Sequence, residues 1–257
     1  MRPESTNRRL LWAMTLALAS TSLGCTGPQL QEDSQLETAP GDLGLINYCI
    51  DPSSTEPDQE YDVYIDMDEV VMLGTCGITE SSAEGDTALS LYDPEGRLAA
   101  TNDNGAAYGC GLASRMELTA SAGGYYKVRI GCADGASCCG TLAISRRRAL
   151  ISFSARNTNN AVLNTYNKQF KFDAGDVVRV STCAANAYGA SATGDTYLRL
   201  FHLVSGAYSE VASNNDGQGC GSAAELVYTI PQAGYYQFRV GCAENTACSG
   251  NVAVYVE

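Results

Sequence analysis

Four segments of this chain occur twice. Leu45–Ser54 (LINYCIDPSS) matches Leu150–Asn159 (LISFSARNTN), and Glu69–Cys76 (EVVMLGTC) matches Asp176–Cys183 (DVVRVSTC). Gly85–Asp93 (GDTALSLYD) matches Gly194–His202 (GDTYLRLFH), and Gly124–Cys132 (GYYKVRIGC) matches Gly234–Cys242 (GYYQFRVGC). The offset drifts only from 105 to 110 residues, and glycine-rich loops absorb the drift. A period this long is a duplicated domain and not a solenoid, whose repeats span about 20–50 residues. Whatever fold the sequence adopts must be completed twice, in about 100 residues each time.

Within each copy the apolar residues alternate with polar ones. Val63, Ile65 and Met67 do so, as do Leu89 with Leu91, Val128 with Ile130, Phe170 with Phe172, and the run from Tyr197 to Phe201. Period two marks half-buried strands, and turns rich in Gly, Asn and Asp separate them. Short strands at this spacing predict an all-β chain of two tandem antiparallel β-sandwiches. No window beyond the N-terminal segment has a helical period.

The cysteines divide the same way. Cys76, Cys110, Cys132 and Cys138 recur as Cys183, Cys220, Cys242 and Cys248. The duplication favours closure inside each copy, as Cys76–Cys110 with Cys132–Cys138, and Cys183–Cys220 with Cys242–Cys248. Cys49 and Cys139 belong to the first copy alone, and both counterparts, Ser154 and Ser249, are serine, as expected if the two cysteines pair. Neither paired C-x-x-C spacing for zinc nor a redox C-x-x-C is present, so structural disulfides of an oxidising compartment are the expectation.

The eleventh cysteine, Cys25, follows a basic start (Arg2, Arg8, Arg9) and a short apolar core, Leu10–Leu18. That core is a signal-peptide length, well below the roughly 20 residues of a membrane span. The segment ending Leu23-Gly24-Cys25 resembles a bacterial lipobox, with Ser22 where Leu is usual. The resemblance implies a lipoprotein signal peptide over 1–24 and lipidation of Cys25. Thr26, in place of Asp, implies sorting to the outer membrane. Residues 25–44 read as lipidated Cys and flexible tether, 45–148 as the first sandwich and 149–257 as the second.

The succession of Gly-Asp-Thr-x-Leu-x-Leu, an Asn/Asp-rich turn and Ala-Gly-x-Tyr-x-x-Arg-Val resembles the bacterial pre-peptidase C-terminal family. That family is a jelly-roll-like β-sandwich carried on secreted proteins, often proteases. The cysteine-decorated form here is similar to that of secreted and lipid-anchored myxobacterial proteins. The resemblance covers residues 45–257 and implies fold more than function, because sandwiches of this kind host many binding roles.

The chain carries a net charge of −13, which argues against nucleic acid and anionic headgroups as electrostatic partners. Its one histidine, His202, aligns with Asp93 of the other copy and has no nucleophile elbow to serve. No enzyme is expected. The oxygen-rich turns offer a calcium set of Asp86, Asp93, Asn102, Asp103 and Asn104, with Asp195, Asn214, Asn215 and Asp216 in the second copy. Turn formation by these Asx residues ranks ahead of calcium, and the first copy ranks ahead of the second as a calcium site. Tyr92, Tyr108, Tyr188 and Tyr208, on or near loops, are candidates for stacking a sugar or seating a protein. Arg146-Arg147-Arg148, between the copies, reads as a solvated linker with some pairing to the domain carboxylates. The expectation is a non-catalytic, lipid-anchored envelope protein that engages another envelope protein or a surface polysaccharide in adhesion, cell contact or a motility apparatus. The alternatives are a calcium-dependent carbohydrate-binding module and an accessory acting in trans on a secreted protease or hydrolase.

Overall fold

The alternating segments form sheets because period two puts every second side chain on one face. The computed structural model describes residues 44–52 and 58–257, and no α-helix occurs among the described residues. The expected signal peptide, Cys25 and the tether up to residue 43 lie outside the described residues. In chain order the strands are β1 (Gly44–Ile50), β2 (Gln59–Ile65), β3 (Val70–Gly74), β4 (Ser82–Glu84), β5 (Thr87–Tyr92), β6 (Leu98–Asn102), β7 (Arg115–Thr119) and β8 (Gly124–Cys132). A long β9 (Cys138–Arg156) follows. Then come β10 (Tyr166–Phe172), β11 (Val177–Ser181), β12 (Ser191–Thr193), β13 (Thr196–Val204), β14 (Ala207–Asn214), β15 (Glu225–Thr229), β16 (Gly234–Cys242) and β17 (Ala247–Val256).

All pairings are antiparallel. Two four-stranded sheets, β2-β8-β5-β6 and β10-β16-β13-β14, accompany one nine-stranded sheet of main path β15-β11-β17-β9-β3-β7. Each small sheet packs on its own half of the large one, which makes a disulfide-rich β-sandwich twice over. The first core joins Val63, Leu89, Tyr126 and Ile130 to Ile46, Val71, Leu73 and Leu142. The second joins Phe172, Leu198, Tyr236 and Phe238 to Phe153, Val178, Val252 and Val254.

The two halves share β9. Its first residues pair with β1, β3 and β4, and its later residues pair with β17. Residue 148, where the repeat divides, falls inside this strand. Val254 lies opposite Ala149 and Tyr255 opposite Arg147, so Arg148 is an extra residue in the ladder. One inserted residue resets the alternation of faces. Leu142 and Ile144 before it, and Ile151 and Phe153 after it, therefore turn toward cores on one side of the sheet.

The basic run is thus strand and not linker, though it does pair with a carboxylate. Arg146 is buried, donates to Glu69 Oε2 at 2.7 Å and to the Tyr64 carbonyl at 2.9 Å, and only Arg148 is fully exposed.

The repeated motifs find structural jobs. Thr87 and Thr196, of the two Gly-Asp-Thr triplets, are fully buried. Their hydroxyls accept from the backbone N–H of Ser114 and Ala224, at 2.9 and 2.8 Å, and meet Thr75 and Thr182. They satisfy backbone donors that the sandwich would otherwise bury unpaired. Gly85 and Gly194 have φ of +89° and +82°, and a Cβ there would stand 2.6 and 2.5 Å from a carbonyl oxygen. Tyr126 and Tyr236 bury their rings and donate to carbonyls four residues upstream, Ala122 and Gln232, in the manner of a tyrosine corner.

Five disulfides close the sandwiches: Cys49–Cys139, Cys76–Cys110, Cys132–Cys138, Cys183–Cys220 and Cys242–Cys248.

Candidate binding site

A sandwich strand ordinarily buries one face. Strands β3 and β11 bury both, since every residue of VVMLG and VVRVS is buried. Their second face belongs to the reverse side of the nine-stranded sheet, where Met72, Ala143, Ala253 and Tyr255 form a third apolar cluster. Ile78 from the loop after β3, and Ala187 and Ala190 from the loop after β11, cover it. The two copies therefore meet over the back of their common sheet.

Charged side chains occupy the rest of that face. Arg179, on β11, is clasped by Glu257 and by Glu225 of β15, whose Oε1 accepts from Nη1 at 2.8 Å. Its Nη2 also reaches the Gly77 carbonyl of the first copy, and Glu257 accepts from the Thr79 backbone N–H at 3.0 Å and from its hydroxyl at 2.6 Å. Burial works against the Arg179 charge, but Glu257 and Glu225 outweigh it and raise the guanidinium pKa.

Arg115, on β7, is 1% exposed. It donates to the Asn186 carbonyl of the second copy at 2.7 Å, stands 3.6 Å from Glu117 and lies over the Tyr108 ring. Burial, the larger cause, lowers its pKa against the pull of Glu117, and burial likewise raises the Glu117 carboxyl. Charges this deep are tolerated because they are paired.

Between the covering loops a cleft of about 550 Å³ opens. Gly77, Ile78, Ala107, Ala185, Gly219 and Val227 make its apolar lining, and Thr79, Tyr108, Asn186, Gln218, Arg179 and Glu225 its polar part. Glu225 stands out among them. Its side chain is 10% exposed, Oε1 accepts from Arg179 and from Asn186 Nδ2, and Oε2 has no partner. A larger open depression of about 760 Å³, at Ser154, Arg156, Asn164, Thr193 and Ser249, contains none of the buried unpartnered groups.

The tyrosine candidates separate. Tyr108 lines the cleft, and Tyr188 is near enough for its ring hydroxyl to raise the Tyr108 pKa, after burial and Glu117. Tyr188 is 41% exposed, and its carbonyl accepts from the buried Tyr255 hydroxyl. Tyr92 sits elsewhere, under Arg129 on the outer face of the first small sheet. Tyr208 is bonded to Gln169 on the second.

The calcium set also separates. Asp93 and Asp86 flank opposite ends of β5, about 20 Å apart at the rise of a strand. Asp93 accepts from the backbone N–H of Glu95 and Arg97 and from the Arg97 guanidinium. Burial opposes that charge, but these donors hold the carboxyl below its usual range. Asn102 accepts from the Arg115 backbone and donates to the Asn104 carbonyl, while Asp103 and Asn104 are exposed. Of the first-copy set, only Asp86 keeps a buried oxygen without a partner.

The second copy holds more such oxygens. Oδ1 of Asp195, Asn214 and Asn215 are all buried and unpartnered. Burial, then Asp216 and Glu244, raises the Asp195 pKa. Among the described residues no three His, Cys, Asp or Glu side chains form a metal cluster. His202 stacks on the Tyr236 ring at 4.3 Å.

Arg115, Glu117, Arg179, Glu225 and Glu257 were not singled out from sequence. A charge inside an apolar strand run, as in Val177-Val178-Arg179-Val180, was the available signal.

No family model matches the chain, and no curated protein does. Among solved structures, the chain is similar to PliG of Aeromonas hydrophila, a periplasmic inhibitor of g-type lysozyme, at 15% identity and a TM-score of 0.28, over 44% of this chain and 86% of that one. The PBSX exported protein XepA matches at 11% identity and a TM-score of 0.27, over 84% and 86%. The tandem CBM22 domains of Xyn10C from Paenibacillus barcinonensis match at 10% and 0.22, over 87% and 95%. Likeness this slight carries no argument about function. Among the described residues no helix is long and apolar enough to cross a membrane.

Proposed function

We propose that this chain is a non-catalytic, lipid-anchored binding protein of the cell envelope. In this reading two tandem jelly-roll-like sandwiches, similar to pre-peptidase C-terminal domains, present one site to an envelope partner at the outer membrane. The observation that supports it is the junction cleft with its unpartnered, buried Glu225 Oε2. A concave site that combines apolar walls with a few convergent polar groups is the usual form of a binding site.

The test places a photo-crosslinking residue at Val227, on the cleft lining and 45% exposed, in intact cells. The expected result is a discrete adduct that disappears when Glu225 is changed to Gln. Adducts from the outer sheet faces, at Tyr125 or Tyr235, with none from position 227, would overturn the cleft as the site. Protease added to intact cells separates a surface-exposed protein from a periplasmic one, and so an adhesin from a scaffold.

A second reading, calcium binding, is favoured by one observation: the three unpartnered buried oxygens of Asp195, Asn214 and Asn215. Oxygen-only donors suit Ca²⁺. Melting temperature that is the same with millimolar Ca²⁺ and with chelator would remove this reading.

A further inference from the structure

We infer that the junction cleft receives a lysine side chain presented by a partner protein. The inference rests on the proposed binding role of the cleft and specifies the chemistry it recognises.

Charge comes first. Arg179, Glu225 and Glu257 form one connected group of one cation and two carboxylates, so that group itself is net negative. The neighbouring Arg115 and Glu117 cancel each other. A guest that carries positive charge is favoured over a neutral or anionic one.

Donor geometry narrows the guest. Four N–H donors of Arg179 already have acceptors, and the buried atom left without a partner in this group is an acceptor, Glu225 Oε2. An ammonium has only donors to offer and so matches it. An arginine guest would address both oxygens of a carboxylate in its fork, but Oε1 is committed to Arg179 and Asn186. One free oxygen suits a point charge.

The walls supply the remaining requirement. Ile78, Ala107, Ala185 and Val227, with three glycines between them, offer methyl and methylene surface above the charged group. A lysine lays its four-carbon stem along such a surface while its tip reaches the carboxylate.

The experiment is a chemical-shift titration of the full chain with three probes: acetyl-Gly-Lys-Gly-amide, the same peptide with norleucine for lysine, and maltotriose. The lysine peptide should shift the amides of Ala185, Gly219 and Val227, and the norleucine peptide should bind about tenfold more weakly or less well still. Glu225→Gln should weaken the lysine peptide by about the same factor. Val227→Arg adds a like charge at an exposed wall position, opposite Arg179 and beside Glu225, where it competes with the guest for the carboxylate, so it decides the matter if the Gln variant fails to fold. Equal binding of the two peptides, or unchanged binding to Val227→Arg, would overturn the inference. Cleft shifts with maltotriose alone would overturn lysine and leave the binding role standing. No shifts with any probe, together with no adduct from position 227 in cells, would end both.

Discussion

The two copies are interchangeable inside and complementary outside. Thr87 and Thr196 occupy the same place, as do Tyr126 and Tyr236 and the two repeated disulfides of each copy. On the reverse face of the shared sheet the equivalent positions differ in kind. Met72 stands opposite Arg179 in the alignment, Arg115 opposite Glu225, and Arg147 opposite Glu257. A core position must satisfy its own copy, so both copies keep the same solution. A reverse-face position must satisfy the other copy, and two identical arginines or methionines would not.

Exchanging equivalent residues tests this comparison. Arg179→Met gives the second copy the residue of the first and strands Glu225 and Glu257 in a buried place. It should cost about 3–5 kcal/mol in a denaturant titration. A loss below about 1 kcal/mol, the value of an exposed pair, would show that the junction charges are uncoupled from folding.

The double change Cys49→Ser with Cys139→Ser gives the first copy the serines of the second. It removes a bridge that spans 90 residues and should cost about 2–4 kcal/mol in the same titration. Arg146→Val, after Val256 of the second copy, removes the bonds to Glu69 and the Tyr64 carbonyl. About 1–3 kcal/mol is expected, measured against Arg148→Val, an exposed neighbour that should change little.

The smallest effect concerns Asp195. Its pKa is raised in the folded state, so its ionisation opposes folding, and that penalty appears as pH rises through the folded value. In chelator, Asp195→Asn should melt slightly above the wild type at pH 7. The gap should close as pH falls toward the unfolded carboxyl value of about 3.9. A gap that widens in acid would show that the carboxylate is stabilised by partners in the fold.

The sheet content was legible because alternation is local and because two copies repeat it. The five disulfides in the structure join the same pairs that the alignment of the copies favours, and the duplication supplied what spacing alone does not. Continuity of β9 was hidden, because the bulge at Arg148 sits in a run of three arginines that reads as solvated charge. The junction was hidden for a different reason. Its members come from β7, β11 and β15, from the residue after β17 and from two covering loops, and no single stretch shows them together.

The tyrosine candidates illustrate the limit. Tyr108 and Tyr188 lie on separate loops in the sequence, and only the pairing of the reverse faces brings them near each other. Asp93 was picked as an oxygen donor, and a turn at the far end of β5 uses it instead.

Strand β9 has a consequence for unfolding. A strand whose backbone groups are divided between two sandwiches cannot be released from one without loosening the other. The apolar cluster behind it, with Met72 and Tyr255 at its centre, binds both halves across the same strand. Heating should therefore melt the pair in one calorimetric transition, with an enthalpy that scales with both copies. Neither copy is a portable module: a fragment divided at residue 148 would carry half of an apolar surface and half of a charge network into water.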